Sequence, residues 1–208
     1  LISAFALQAQ NATITSQAGN PSYPTIQDAV DNASSGDVIE VNAGTYNEKV
    51  TVTKDDLTFT GPNAGINPNT GTRGSEAILK TPSSSVSGFY INGASGITLD
   101  GFTVNANGNF YGIFHEAPNS EGDIIIRNNI VENSSFVGFQ GNTSQSSSNN
   151  LINDNLFTNN ESYGINLNNS YYANITNNVI NNTQVGLYST NTSLAAATAT
   201  VEFKNNTI

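Results

Sequence analysis

From residue 86 to residue 208, apolar and polar positions alternate in runs of a few residues, and the runs recur in a fixed order. One run reads apolar-x-Asn-Asn-x-apolar, as in Ile126-Arg127-Asn128-Asn129-Ile130-Val131, Ile175-Thr176-Asn177-Asn178-Val179-Ile180 and Phe203-Lys204-Asn205-Asn206-Thr207-Ile208. Ile152-Asn153-Asp154-Asn155-Leu156-Phe157 carries Asp in the first Asn place, and Leu99-Asp100-Gly101-Phe102-Thr103-Val104 fills the slot one repeat earlier. The other run is Gly followed by an apolar residue: Gly88-Phe89, Gly112-Ile113, Gly138-Phe139, Gly164-Ile165 and Gly186-Leu187, spaced 24, 26, 26 and 22 residues apart. Alternation over so few positions predicts short strands with one buried face. One repeat cannot bury that face alone, so neighbours stack about 4.8 Å apart and share a core. The inward columns are Leu99, Ile126, Ile152, Ile175 and Phe203; Val104, Val131, Phe157, Ile180 and Ile208; and Phe89, Ile113, Phe139, Ile165 and Leu187. The predicted fold is all-β: a right-handed single-stranded parallel β-helix, a solenoid whose regular rungs span residues 86–208.

The N-terminal third has a different pattern. Thr25-Ile26-Gln27-Asp28-Ala29-Val30 predicts a short amphipathic helix at about 24–33, with Thr25 as N-cap, Asp28 as reciprocal cap, and Ile26, Ala29 and Val30 buried. A helix there caps the open end of a solenoid, where core and strand edges would otherwise be exposed. Strand-like pieces follow at Val38-Ile39-Glu40-Val41, Gly44-Thr45-Tyr46, Val50-Thr51-Val52 and Leu57-Thr58-Phe59. Residues 61–75, rich in Gly, Pro and Asn, read as a long surface loop. The β-helix domain is therefore residues 20–208. It is preceded by an N-terminal apolar segment, residues 1–19, that packs within the chain or as a strand against a neighbouring subunit.

Composition sharpens this picture. Asn supplies 34 of the 208 residues, a bias that the repeat explains. The Asn pairs sit where the chain bends between strands, Asn tolerates the left-handed conformation, and a side-chain amide can bond the same amide one rung away. Asn129, Asn155, Asn178 and Asn206 are thus expected to form a structural ladder. The 16 acidic and 6 basic residues give a net charge of −10, which repels phosphate backbones and argues against nucleic acid as a partner. No apolar run approaches the roughly 18 residues of a membrane span. With no Cys, the chain has no disulfide, thiolate metal ligand or thiol nucleophile.

Tyr23-Pro24-Thr25-Ile26-Gln27-Asp28-Ala29-Val30 through Gly44-Thr45-Tyr46-Asn47-Glu48 resembles the opening of pectin-lyase-like β-helix proteins, which include pectin methylesterases and the NosD-like repeat proteins. The later rungs are similar to those of the NosD-like and surface-protein group. The resemblance implies the fold, over roughly residues 20–208, and an exported protein at the cell surface or outside the cell. The activities of the superfamily do not carry over. The Gln-Asp, Asp-Phe and Arg-Pro-Trp stretches of a methylesterase are missing beyond Gln27-Asp28, Asp55-Asp56 is the single match to a galacturonase, and the only arginines are Arg73 and Arg127.

Candidate chemistry is correspondingly thin. His115, Glu116, Asp100 and Arg127 form the best catalytic set, with His115 or Arg127 as the base of a lyase or epimerase. Against this, Asp100 and Arg127 occupy matching outward slots and make an ordinary cross-strand pair, and His115 aligns with the apolar Ile91 and Leu167. Calcium is compatible with the acidic turns Asp55-Asp56 and Glu121-Gly122-Asp123, although no spaced acidic motif is present and no metal site is assigned. Phe110, Tyr111, Phe136, Tyr163, Tyr171 and Tyr172 are the rings available for packing or for a polysaccharide. Ten Asn-x-Ser/Thr sequons permit glycosylation, among them Asn133, Asn142, Asn160, Asn168, Asn174 and Asn181.

The final run, Phe203 to Ile208, is a complete repeat motif, so an open rung is expected there. An apolar N-terminal segment bearing Leu1, Ile2, Phe5 and Leu7 could pair with it on another copy, a heterologous contact that builds a filament. This segment also fits the tail of a secretion signal. The sequence thus points first to a self-associating extracellular structural or surface protein, and second to a polysaccharide-active lyase, epimerase or hydrolase or a carbohydrate-binding module.

Overall fold

The computed structural model describes residues 11–145, 147–190 and 201–208. They form a right-handed parallel β-helix of three sheets, with one helix, Ile26–Asn32. Each regular rung contributes one strand to each sheet, as Ile125–Arg127, Ile130–Glu132 and Val137–Thr143 do. The first sheet has nine strands, from Ser22–Tyr23 to Glu202–Lys204; the second has six, from Gly44–Tyr46 to Val179–Asn181; the third has six, from Val50–Val52 to Val185–Thr190.

The three apolar columns meet in register. Leu99, Ile126, Ile152, Ile175 and Phe203 pair in sequence along the first sheet. Val104, Val131, Phe157 and Ile180 do so along the second, and Phe89, Ile113, Phe139, Ile165 and Leu187 along the third. The core is a continuous stack running down the axis, which explains why every rung keeps the same alternation.

Residues 12–14, placed by sequence in a separate segment, belong to the β-helix. Ala12–Ile14 pairs antiparallel with Val38–Val41 and with Ser22–Tyr23. Ala12 and Ile14 are buried, so this strand covers the edge of the first parallel rung. Leu1, Ile2, Phe5 and Leu7 lie outside the described residues.

The helix closes the same end. Its N-cap Thr25 is extended, with Oγ1 accepting the Asp28 N–H at 3.0 Å. The carboxylate that takes the remaining first-turn amides is Glu48, accepting from Ile26 and Gln27 at 2.9 Å each, whereas the sequence suggested Asp28 as the reciprocal cap. At the other end the Lys54 ammonium donates to the carbonyls of Val30, Asp31 and Ala33 at 2.8–2.9 Å. Both sets of orphaned backbone groups, and both poles of the helix dipole, are thereby met by side chains from the next rungs.

Between the first and second sheets, the Asn pair divides its labour. The first member takes the left-handed conformation: Asn128, Asp154, Asn177 and Asn205 have φ of 55–58°. The second forms the ladder. Asn129 donates to Asn155 Oδ1 at 3.2 Å, Asn155 to Asn178 at 3.0 Å, and Asn178 to Asn206 at 3.0 Å. Each also donates to a carbonyl one rung back, of Leu99, Ile126, Ile152 and Ile175 respectively. The Oδ1 atoms of Asn155, Asn178 and Asn206 also accept the backbone N–H of the preceding ladder Asn, and Asn129 Oδ1 accepts that of Phe102, so each ladder amide is paired through both its oxygen and its nitrogen.

Residues 61–75 fold onto this corner. Gly65 N–H donates to Asp100, Asn67 to Asp154, and Asn69 to the Asn155 carbonyl. Arg73 grips Glu76 with two bonds and reaches the Asn128 carbonyl at 2.7 Å. Gly101, at φ +83°, makes room for the crossing: a Cβ there would fall 2.1 Å from the Ala64 nitrogen.

Candidate functional site

The fold separates the residues with the most chemistry. His115 lies on the third sheet in the inward column with Ile91 and Gly141, and is 0% exposed. Its ring fits because Gly141 leaves a gap that the Tyr171 ring enters from the first sheet; a Cβ at Gly141 would sit 2.8 Å from that ring. The Tyr171 hydroxyl meets His115 Nδ1 at 2.6 Å, and Nε2 has no hydrogen-bond partner. Burial lowers the imidazole pKa from 6.5 to about 4, against a weaker upward pull from the Ala94 backbone and the Glu121 carboxylate. Burial raises the pKa of the Tyr171 phenol well above its ordinary value. Both groups are therefore neutral at pH 7, and the pair is sealed inside the solenoid.

Glu116 points outward from the same strand and accepts from the Tyr90 hydroxyl. Asp100 and Arg127 lie on the first sheet. Arg127 Nε donates to Asp100 Oδ2 at 2.8 Å, while Asp100 Oδ1 takes Gly65 N–H at 3.0 Å and Asn128 Nδ2 at 2.8 Å. Of the four catalytic candidates, only this pair touches, and its acid is also engaged by the docked loop. A cleft of about 450 Å³ beside that loop is lined by Glu40, Asn42, Thr60, Asn63, Ile66 and others, and Glu40 is its single titratable side chain.

The outer face of the third sheet is built differently. Tyr90 and Phe114 are register partners with centroids 5.3 Å apart in stacked rings. Phe114 meets Tyr111 at 5.0 Å, Tyr111 meets Phe136 at 6.1 Å, Phe136 meets Tyr163 at 5.5 Å, and Tyr163 meets Tyr188 at 5.3 Å. Phe110, 58% exposed, leans on Tyr111 and Phe136. Lys49 Nζ sits 4.7 Å over the Tyr90 ring, whose hydroxyl pKa is pushed up to about 12, by burial first and then by Glu116. Sequence reasoning found Phe110, Tyr111, Phe136 and Tyr163 but missed Tyr90, Phe114 and Tyr188, whose outward parity within the strand was the available signal. Tyr171 and Tyr172 are buried away from this face.

Among the sequons, Asn174 and Asn181 are exposed and Asn133, Asn142 and Asn168 partly so. Asn160 leaves that set. It is 0% exposed, donates to the Val131 carbonyl, and accepts from both the backbone and the hydroxyl of Ser134 in a second, shorter ladder. Phe203 and Ile208 are 46% and 72% exposed.

The family model described as "Periplasmic copper-binding protein (NosD)" matches residues 30–208. No curated protein matches the chain, and no solved structure does. Copper is favoured by thiolate, thioether and imidazole donors, and the chain has no Cys, no Met and one His. That His is enclosed in the core with one nitrogen already bonded. Among the described residues no group of three His, Cys, Asp or Glu could hold a metal ion, which extends to the acidic turns at Asp55-Asp56 and Glu121-Gly122-Asp123. The residues present do not fit a copper centre. No helix of the described residues is long and apolar enough to cross a membrane. With every regular rung inside the matched span, this chain belongs to the NosD family of β-helix proteins.

Proposed function

We propose that this chain is a non-catalytic, exported β-solenoid that serves as a structural or surface protein outside the cytoplasm. One observation carries the reading: the candidate acid–base residues His115, Asp100 and Arg127 are bonded into the scaffold. His115 is sealed against Tyr171, and Asp100 holds a loop amide, an Asn and Arg127. The periplasmic description of the family supports a location beyond the cytoplasm. The test is incubation of the chain with acidic and neutral polysaccharides, with and without calcium, followed by assays for reducing ends and unsaturated products. No turnover above background is expected. Turnover abolished by Arg127→Ala in a folded chain would replace this reading with a polysaccharide-active enzyme.

Association between copies is a second reading, favoured by the exposed apolar side chains of Phe203 and Ile208. Sedimentation of the full chain against Phe203→Ser/Ile208→Ser tests it, and a monomer at all concentrations in both would exclude it.

A further inference from the structure

The aromatic path on the third sheet has no role in the scaffold reading. Core rings face the axis, but Tyr90, Phe114, Tyr111, Phe136, Tyr163 and Tyr188 lie on the outside, joined by successive ring contacts of 5.0–6.1 Å. The path follows the stacking direction of the strands, so its rings recur at intervals set by the rung spacing of about 4.8 Å. Contiguous exposed apolar surface, unlike singly scattered residues, marks interaction or ligand-binding sites. Val86, Phe110, Val185 and Tyr188, four of the six exposed large apolar residues among those described, belong to this face or its margin.

Polar groups interrupt the path. Between Phe114 and Tyr188 the outward column continues as Gln140 and Asn166. Asn166 Nδ2 donates to Gln140 Oε1 at 3.0 Å, and Gln140 Nε2 to the Gly141 carbonyl at 3.0 Å. Asn166 Oδ1 has no partner, although the residue is 5% exposed. A buried acceptor left unmet is costly. A hydroxyl arriving beside Tyr188, the next residue of the column and exposed enough to turn aside, would satisfy it. Rings interleaved with amides suit a ligand that is apolar on its faces and hydroxylated at its edges.

Charge selects among such ligands. Of the six basic residues, Lys54 caps the helix, Arg73 and Arg127 are paired at the opposite corner, Lys80 and Lys204 stand on the second and first sheets, and Lys49 lies over a ring of the path. Glu116 stands beside it, and the chain carries a net charge of −10. A polyanion would find repulsion here and no arginine fork. From these observations we infer that the outer face of the third sheet binds a neutral, extended polysaccharide, laid along the solenoid axis with its sugar rings stacked on successive aromatic side chains. An equatorially linked pyranose presents a flat C–H face, and its length is comparable to one rung spacing of about 4.8 Å.

Affinity electrophoresis and calorimetry of the full chain test this, using hydroxyethyl cellulose and mixed-linkage β-glucan as neutral probes and polygalacturonate and alginate as acidic ones. Binding to a neutral probe is expected, weakened about tenfold by Tyr188→Ser or Phe110→Ser, both of which remove exposed rings and leave the core intact. The thermal midpoint of each variant confirms that it is folded. Binding of the acidic probes alone would overturn the ligand class. Absence of binding to all four by a folded chain would overturn the site. Concentration-dependent dimers lost in Phe110→Ser would also overturn it, by assigning the face to a second copy of the chain. Cleavage of a bound glucan, in contrast, would contradict the non-catalytic reading and leave the binding face standing.

Discussion

Replacing Asn155 with Ala removes a ladder side chain whose hydrogen bonds are all buried. Its amide donates to Asn178 Oδ1 and the Ile126 carbonyl, and its oxygen accepts from both the backbone and the side chain of Asn129. All of these are buried. Truncation strands the Asn129 N–H and weakens the other partners. Each unmet buried group costs about 1–3 kcal/mol, so the variant should lose about 3–5 kcal/mol. That is a large share of the ~5–15 kcal/mol that holds a typical domain folded. Asn206→Ala cuts bonds that are only part-buried and should cost about 1 kcal/mol. Urea unfolding followed by circular dichroism gives the comparison. Hydrogen exchange then shows whether protection is lost first in the rungs around residues 127–158, as expected where each rung contacts only its neighbours. If Asn155→Ala and Asn206→Ala cost the same, or Asn155→Ala costs under about 1 kcal/mol, the ladder is not holding this corner.

Three further outcomes follow from the same geometry. His115 has a folded-state pKa of about 4 against 6.5 unfolded, so its neutral form is favoured by folding and its contribution is full above pH 6.5 and lost as pH falls toward 4. At about 1.4 kcal/mol per pH unit this is about 3 kcal/mol, read as the difference in pH dependence of stability between the chain and His115→Phe; parallel curves would contradict the sealed pair. Gly141→Ala pushes a methyl into the Tyr171 ring and should cost about 1–3 kcal/mol by thermal unfolding, with the near-ultraviolet tyrosine signal altered. Arg127→Gln should cost under about 1 kcal/mol because that side chain is 45% exposed, whereas Asp100→Ala should cost more, since Gly65 and Asn128 lose their acceptor too; limited proteolysis of the 61–75 loop separates the two.

The repeat made most of the fold legible. Inward columns such as Leu99, Ile126, Ile152, Ile175 and Phe203 follow from alternation, and the Asn pairs mark the bends. What alternation does not encode is azimuth. His115 and Arg127 stand on successive strands, yet those strands belong to the third and the first sheet respectively, so the two side chains do not converge. The docking of residues 61–75 was illegible because Arg73 finds the Asn128 carbonyl across 55 residues, a contact without a local pattern. The strand Ala12–Ile14 was illegible because three residues are too few to show a period, and its pairing is antiparallel where the rungs are parallel. Tyr171 was read as an available ring because the gap it fills is made by Gly141, thirty residues earlier, whose small size is visible only against the larger residues of its column.

If this NosD β-helix encloses its one imidazole in the core and offers no thiolate or thioether, it should not retain copper. Equilibrium dialysis of the full chain against Cu(II), and against Cu(I) under reducing conditions, with metal analysis of the washed protein, tests it most directly. No stoichiometric copper should be retained, and the thermal midpoint should be unchanged. One equivalent held through dialysis, with a raised midpoint, would contradict it.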